Sequence, residues 1–96
     1  MKFEWDIAKA TANFEKHAVS FEAAARAFED DLSATFPDPD HSVGEKRMIT
    51  YGLNTDGKLL VVSHTEHADV IRIISARRAT SKERKRYEAQ IRKSHQ

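Results

Sequence analysis

The sequence contains no cysteine and only three glycines, two prolines and one tryptophan among its 96 residues. The lack of cysteine excludes disulfides, thiolate nucleophiles and thiolate metal sites. The glycines are scattered at Gly44, Gly52 and Gly57, so there is no glycine-rich phosphate loop, and no serine sits in a nucleophile elbow. No apolar run approaches a membrane span and the N-terminus has no apolar signal region. We therefore expect a cytoplasmic protein with no membrane partner.

Charge is divided unevenly along the chain. Residues 1–45 contain four Lys/Arg and ten Asp/Glu, a net charge of −6, whereas residues 46–96 contain twelve and five, a net charge of +7. A chain polarised in this way can offer a basic face to an anionic partner, although its acidic half can equally neutralise the basic half internally. The length suits a single domain over residues 1–96.

Periodicity and capping signals predict an α+β fold with the order β-α-α-β-β-β-β-α. Asp6 and Ser20 are N-cap residues for two successive helices, and Thr80 with Glu83 forms a capping box for a helix over residues 81–93. The strands are expected at residues 3–5, 34–36, 46–53, 59–65 and 70–76. Short turns between consecutive strands predict an antiparallel sheet with the first two helices on one face.

Aromatic residues divide between the expected core and the basic half of the chain. Four of them are expected in the core, namely Trp5, Phe14, Phe21 and Phe28. Tyr51 and Tyr87 lie nearer the basic residues, where either can stack on an unpaired base. Tyr87 can equally anchor the last helix, whose apolar stripe is otherwise only Ile91.

The last strand and its exit contain Arg72, Arg77 and Arg78, directly before the start of a helix. An arginine in a β-branched strand is costly to bury without an anionic partner, and guanidinium groups hold phosphate bidentately. We interpret the three as a phosphate-binding cluster. The alternative is that Arg72 pairs with an acid across the sheet while the other two are merely solvated.

A second polar group precedes the third strand. Asp40, His41, Glu45 and Arg47 can provide a base, an acid and a phosphate clamp, since Glu45 and Arg47 share one face of a strand. The alternative is a surface ion pair and a histidine that caps the loop. His64 and His67 lack an evident third metal ligand, so we expect no metal or other cofactor.

Several spaced motifs in this chain resemble the BrnT family of bacterial toxins. They are Phe3-Glu4-Trp5-Asp6, Lys16-His17, Val19-Ser20-Phe21-Glu22, Asp40-His41-Ser42 with Glu45 and Arg47, and 72–80 with Glu83-Arg84 and Tyr87. The resemblance implies a RelE-like fold and a ribonuclease toxin of a type II toxin–antitoxin pair. It also implies a BrnA-type ribbon-helix-helix antitoxin that binds the toxin and, through the complex, operator DNA. Ala18 stands where the family usually has a glycine, at an expected helix C-cap.

On this basis we expect metal-independent RNA cleavage, in which the 2′-OH attacks the adjacent phosphate. Arg72, Arg77 and Arg78 are the expected charge stabilisers, with Arg47 as an additional phosphate contact. Glu45 or His41 is the candidate base and His41 or Tyr87 the candidate acid. The alternative function is a non-catalytic module that binds nucleic acid or a protein partner, as a regulatory subunit of a DNA-binding complex.

Overall fold

The computed structural model describes residues 1–41 and 46–94. Its elements follow the predicted order, with a short 3-10 turn (Pro39–His41) added after the second strand. The helices are α1 (Ile7–His17), α2 (Phe21–Ala27) and α3 (Ser81–Ser94). The strands are β1 (Lys2–Glu4), β2 (Ala34–Pro37), β3 (Arg47–Leu53), β4 (Leu59–His67) and β5 (Val70–Arg78).

All five strands form one sheet in the order β1-β5-β4-β3-β2. The neighbours among β2, β3, β4 and β5 are antiparallel, as predicted. The prediction was wrong for β1, which pairs parallel with β5, with Lys2 opposite Val70 and Glu4 opposite Arg72. Because β1 lies at the start of the chain and β5 near its end, no local turn signal could reveal this pairing.

The two N-terminal helices begin and end where the sequence predicts. The Asp6 carboxylate accepts a hydrogen bond from the backbone N–H of Lys9, and the Ser20 hydroxyl accepts one from Ala23. Ala18 has a φ of 57° and its N–H bonds to the carbonyl of Phe14, so a left-handed residue ends α1 and turns the chain into α2.

Helices α1 and α2 cover one face of the sheet, which we call the helix-side face. Its core packs Phe21, Ala24 and Ala27 of α2 against alternate residues of β4 and β5, namely Leu60, Val62, Ile71, Ile73 and Ala76. A Cβ added at Gly52 of β3 would lie 2.3 Å from the carbonyl oxygen of Ala27, so α2 sits directly on that strand. This packing determines which strand residues are left on the other side.

The expectation that Phe14 of α1 lies in the core is wrong, and a polar residue of this helix is buried instead. Ile7 is 79% exposed and Phe14 is 54% exposed, whereas Asn13 is buried. The Asn13 amide donates to the carbonyls of Val19 and Ala76, and its oxygen accepts from the N–H of Ala76. The pairing of β1 with β5 ends at Arg72, and the Asn13 amide satisfies the backbone groups of Ala76 further along β5.

The last helix lies across the face opposite α1 and α2. Its capping box is present: the Thr80 N–H donates to the Glu83 carboxylate and the Glu83 N–H donates to the Thr80 hydroxyl. Tyr87, only 7% exposed, donates its hydroxyl to the Asp30 carboxylate at 2.6 Å. Among the described helices, none has both the length and the apolar character to cross a bilayer.

Candidate functional site

The face of the sheet opposite α1 and α2 carries three of the arginines that the sequence singled out, and we call it the open face. Since Gly52 faces α2, the alternation of β3 places Arg47, Ile49 and Tyr51 on the open face. The register then places Thr65 and Arg72 beside Arg47 in one transverse row. The open face therefore has Arg47 and Arg72 on the same row, two strands apart.

A second row crosses the open face nearer α3. It contains Tyr51, Val61 and Arg77, which are neighbours on β3, β4 and β5. Thr65 of the first row and Val61 of the second are four residues apart on β4, which corresponds to about 13 Å along the strand. The structure therefore places Arg72 and Arg77 on one face but in two separate positions, rather than in the single cluster that was predicted.

Arg77 is held by Glu83 in a two-pronged ion pair. Its Nη1 and Nη2 atoms donate to the two carboxylate oxygens at 2.8 and 2.9 Å, and Nη1 also donates to the carbonyl of Arg78. The hydrogen bonds with Arg77 are the main cause that lowers the pKa of Glu83 to about 2, and the same bonds raise the pKa of Arg77. Both groups are therefore charged at neutral pH.

This pairing leaves Arg77 able to bind an anion. A guanidinium has five N–H groups, and the contacts with Glu83 and Arg78 engage three of them. Within residues 1–41 and 46–94, no contact engages the other two, on Nε and Nη2, which lie along one edge of the group and match two phosphate oxygens. The Arg77 side chain as a whole is 40% exposed.

Arg72 also has a partner within the chain, as the alternative interpretation of the sequence allowed. Its Nη1 donates to the Glu4 carboxylate at 2.7 Å, across the parallel pair of β1 and β5. Both side chains are about half exposed, at 46% and 51%. Exposed pairs of this kind contribute about 0–1 kcal/mol, so a phosphate can displace Glu4 at small cost.

Arg78 does not belong with the other two arginines. It follows Arg77 directly in β5 and pairs in register with Leu60, a core residue of the helix-side face. Adjacent residues of a strand face opposite sides of the sheet, so Arg78 is separated from Arg77 by the sheet itself. The prediction that the two exit arginines converge was wrong for this reason.

The loop cluster is only partly described. The backbone of His41 ends the 3-10 turn, while its side chain and Glu45 lie outside the described residues. The Asp38 N–H donates to the carbonyl of Arg47 at 2.8 Å. The segment from 38 to 47 thus begins and ends at the same corner of the sheet, beside the row that contains Arg47 and Arg72.

Tyr87 has its hydroxyl engaged in the structure. Asp30 accepts from that hydroxyl and from the N–H of Leu53 through the same carboxylate oxygen. Burial and the bond with Asp30 raise the pKa of Tyr87 well above its ordinary value. A buried phenol that already donates to a carboxylate is a poor proton donor to substrate, so this geometry favours the anchoring role over the acid role.

A cavity of about 390 Å³ lies between α3 and the edge of the open face. Its lining residues come from β2, β3 and α3, and they include Phe36, Ile49, Tyr51, Glu83 and Arg86. The rings of Phe36 and Tyr51 meet edge to face, with centroids 6.0 Å apart. Tyr51 was a candidate from the sequence, whereas Phe36 was not, because its exposure follows from the position of β2 at the edge of the sheet.

The histidines weighed as metal ligands lie apart from this site. His64 is fully buried on the helix-side face, where Nε2 shares a hydrogen bond with the Thr50 hydroxyl at 2.7 Å and Phe28 packs against the ring. Burial lowers the pKa of His64 to about 4. His67 is exposed at the end of β4. It lies three residues after His64 on the same strand, so the two side chains face opposite sides of the sheet.

The chain matches a protein family and a solved structure. Residues 5–83 match the family model described as "Ribonuclease toxin, BrnT, of type II toxin-antitoxin system". The chain is also similar to the 1.1 Å crystal structure of the Brucella abortus ribonuclease toxin BrnT. That similarity has 26% sequence identity and a TM-score of 0.66, covering 84% of this chain and 99% of the other. No curated protein matches the chain significantly.

Proposed function

The chain belongs to the BrnT family of ribonuclease toxins of type II toxin–antitoxin systems, and from this premise we propose that it cleaves RNA on the open face of its sheet. The observation that carries the location is Arg77. It is oriented by Glu83, is accessible, and has one edge available for two phosphate oxygens. Preorganised donors of this kind stabilise charge that develops in a transition state.

The proposed reaction needs no metal ion. The ribose 2′-oxygen forms a bond to the adjacent phosphorus while a base takes its proton. The bond from phosphorus to the 5′-oxygen breaks, and an acid protonates that leaving oxygen. The products are a 2′,3′-cyclic phosphate and a free 5′-OH. Guanidinium groups supply the positive charge that opposes the negative charge of the phosphorane.

Two positions on the open face can share this work. Arg77 would contact the phosphate at the α3 end, and Arg72 with Arg47 would contact the backbone of the strand about 13 Å away. The base and acid are chosen from the candidates that the sequence suggested: because the Tyr87 hydroxyl donates to Asp30, we propose His41 as the acid and Glu45 as the base. In the sequence both residues lie between Asp38 and Arg47, whose backbone groups are hydrogen-bonded to each other, and this supports the choice.

Finer features of the function rest on the family resemblance. We propose inhibition of translation and growth in the cytoplasm, a BrnA-type ribbon-helix-helix antitoxin as the partner, and operator DNA binding through the complex. We also propose a RelE-like arrangement of the fold. The basic second half of the chain, with a net charge of +7, supports an anionic target for the free toxin.

The decisive experiment compares Arg77→Ala with Arg78→Ala. The two variants lose the same charge from neighbouring positions on opposite faces of β5. We expect Arg77→Ala to reduce the rate of RNA cleavage about 10²–10³-fold, the usual cost of one transition-state donor. Arg78→Ala should keep nearly the parent rate. The assay is cleavage of a labelled single-stranded RNA by purified toxin, with and without EDTA.

Three results would contradict the proposal. Equal losses in the two variants would mean that only overall charge matters, not the open face. Activity abolished by EDTA would contradict the metal-free reaction. Tight binding of RNA that remains intact would support the alternative of a non-catalytic binding module.

A further inference from the structure

The cavity between α3 and the edge of the open face has the features of a binding site rather than of a packing defect. Its volume of about 390 Å³ lies within the range of small-molecule sites. Phe36, which forms one wall, remains 46% exposed despite being a large aromatic residue. Packing within the chain therefore leaves an aromatic surface available to a ligand.

The walls of this cavity combine aromatic rings with charged groups. Phe36 and Tyr51 contribute the rings, and Arg86 and Glu83 contribute charge from α3. The charge of Glu83 is compensated by its two-pronged pair with Arg77. A flat, uncharged aromatic ring that is linked to a phosphate matches these walls better than an aliphatic side chain does. The ring can stack on an aromatic wall, and the phosphate can reach a guanidinium.

Arg77 does not line the cavity, but two residues that do, Tyr51 and Glu83, connect it to the proposed phosphate contact. Tyr51 and Arg77 lie in the same transverse row of the sheet, and Glu83 both lines the cavity and holds Arg77. A nucleotide whose phosphate binds the remaining edge of Arg77 therefore has its base within reach of the cavity.

We propose that this cavity is a nucleobase subsite, in which one unpaired base of the RNA stacks on Phe36 beside Tyr51 while its phosphate contacts Arg77. The inference rests on the proposed ribonuclease function and extends it by naming the residues that select position along the strand. Single-stranded RNA fits because its bases are free to leave the stack, whereas the bases of a duplex are not.

The test is a double-mutant cycle: the loss of affinity caused by removing one base of the RNA is compared between the parent protein and variants of Phe36. The probe is a short fluorescent oligoribonucleotide whose 2′-O-methyl groups block attack by the 2′-oxygen, so binding is read by anisotropy without cleavage. An abasic nucleotide replaces each base in turn. Loss of the stacked base should weaken binding by the parent protein about 5-fold to 150-fold at one position, the usual range for stacking on one aromatic residue.

In Phe36→Ala the same abasic substitution should change the affinity less than about 2-fold, because the stacking partner is already missing. Phe36→Trp should retain the position dependence. Phe14→Ala is the matched control, since Phe14 is similarly exposed at 54% but lies on α1 at the helix-side face. A thermal unfolding curve for each variant establishes that it is folded.

An identical abasic profile in the parent and in Phe36→Ala would overturn the subsite, as would a parent protein that does not bind the probe. Loss of antitoxin binding in Phe36→Ala with unchanged RNA binding would also overturn it, because the cavity would then be a protein interface. Cleavage of unmodified RNA by the parent is measured separately. If the parent cleaves RNA but the abasic effect is the same with and without Phe36, only the subsite is rejected. If the abasic effect depends on Phe36 but the parent does not cleave RNA, only the ribonuclease function is rejected.

Discussion

Buried His64 is expected to make this protein sensitive to mild acid. The imidazole is fully buried against Phe28, and its Nδ1 atom has no hydrogen-bond partner among the described residues. Burial lowers its pKa from 6.5 to about 4. The unfolded chain therefore takes up a proton between these two pH values and the folded chain does not. The free energy of unfolding is fully maintained above pH 6.5 and falls as the pH drops toward 4.

The size of this effect follows from the two pKa values of His64, 6.5 and about 4. Because only the unfolded chain binds this proton, the free energy of unfolding falls by about 2 kcal/mol between about pH 7.5 and pH 5. For a chain of this length, that loss lowers the melting temperature by about 10 °C. The pKa values of Glu83 and Asp30 are also lowered in the folded protein, from 4.5 and 3.8. These two carboxylates therefore reduce the stability mainly below those pH values, and the change between about pH 7.5 and pH 5 is assigned to His64.

The measurement is urea unfolding at about pH 7.5 and about pH 5 for three proteins. The parent should lose about 2 kcal/mol, and His64→Gln should lose little, since glutamine does not titrate. His67→Gln, altered at an exposed histidine of the same strand, should behave like the parent. Should His64→Gln prove unfolded, the NMR titration of the parent decides. An imidazole of His64 that protonates near pH 6.5 in the folded protein would refute the reasoning.

Two further substitutions probe α3 and the turn after α1. Tyr87→Phe removes a hydrogen bond to the Asp30 carboxylate, so we expect a loss of about 1–2 kcal/mol in urea unfolding. We expect the cleavage rate to stay within a few-fold of the parent, and a fall of about 10²-fold or more would instead identify Tyr87 as an acid. Ala18→Gly relieves a positive φ of 57° and should stabilise the protein by about 1 kcal/mol, seen as a rise in melting temperature. An unchanged or lower melting temperature would mean that the strain at Ala18 does not exceed the entropy that glycine adds to the unfolded chain.

The local parts of the fold were accessible from the sequence because their signals act over three or four residues. The caps at Asp6, Ser20 and Thr80 all form the expected hydrogen bonds. The expected left-handed residue at Ala18 is also present. Strand ends were less well predicted: β4 and β5 each run two residues further, to His67 and Arg78, because pairing between them extends both strands beyond the apolar pattern.

Burial on α1 was predicted less well than its ends. A helical stripe of apolar residues normally indicates the buried face, yet Phe14 is exposed and Asn13 is buried. The reason is a tertiary one, because the amide of Asn13 satisfies backbone groups of Ala76, 63 residues away. No periodicity within α1 could indicate that demand.

The sequence by itself determined the order of the elements, the helix caps and the motifs that resemble the BrnT family, since each depends on residue type and short spacing. Only the tertiary structure decided that β5 continues through Arg78 and so places it opposite Arg77, that Glu4 pairs with Arg72, and that Phe36 borders a cavity beside Arg77. These outcomes depend on how far strand pairing extends and on contacts between segments that are distant in the chain. The alternation along one strand gives the face of each side chain, but which side chains of other strands and helices lie beside it is known only once those elements are paired.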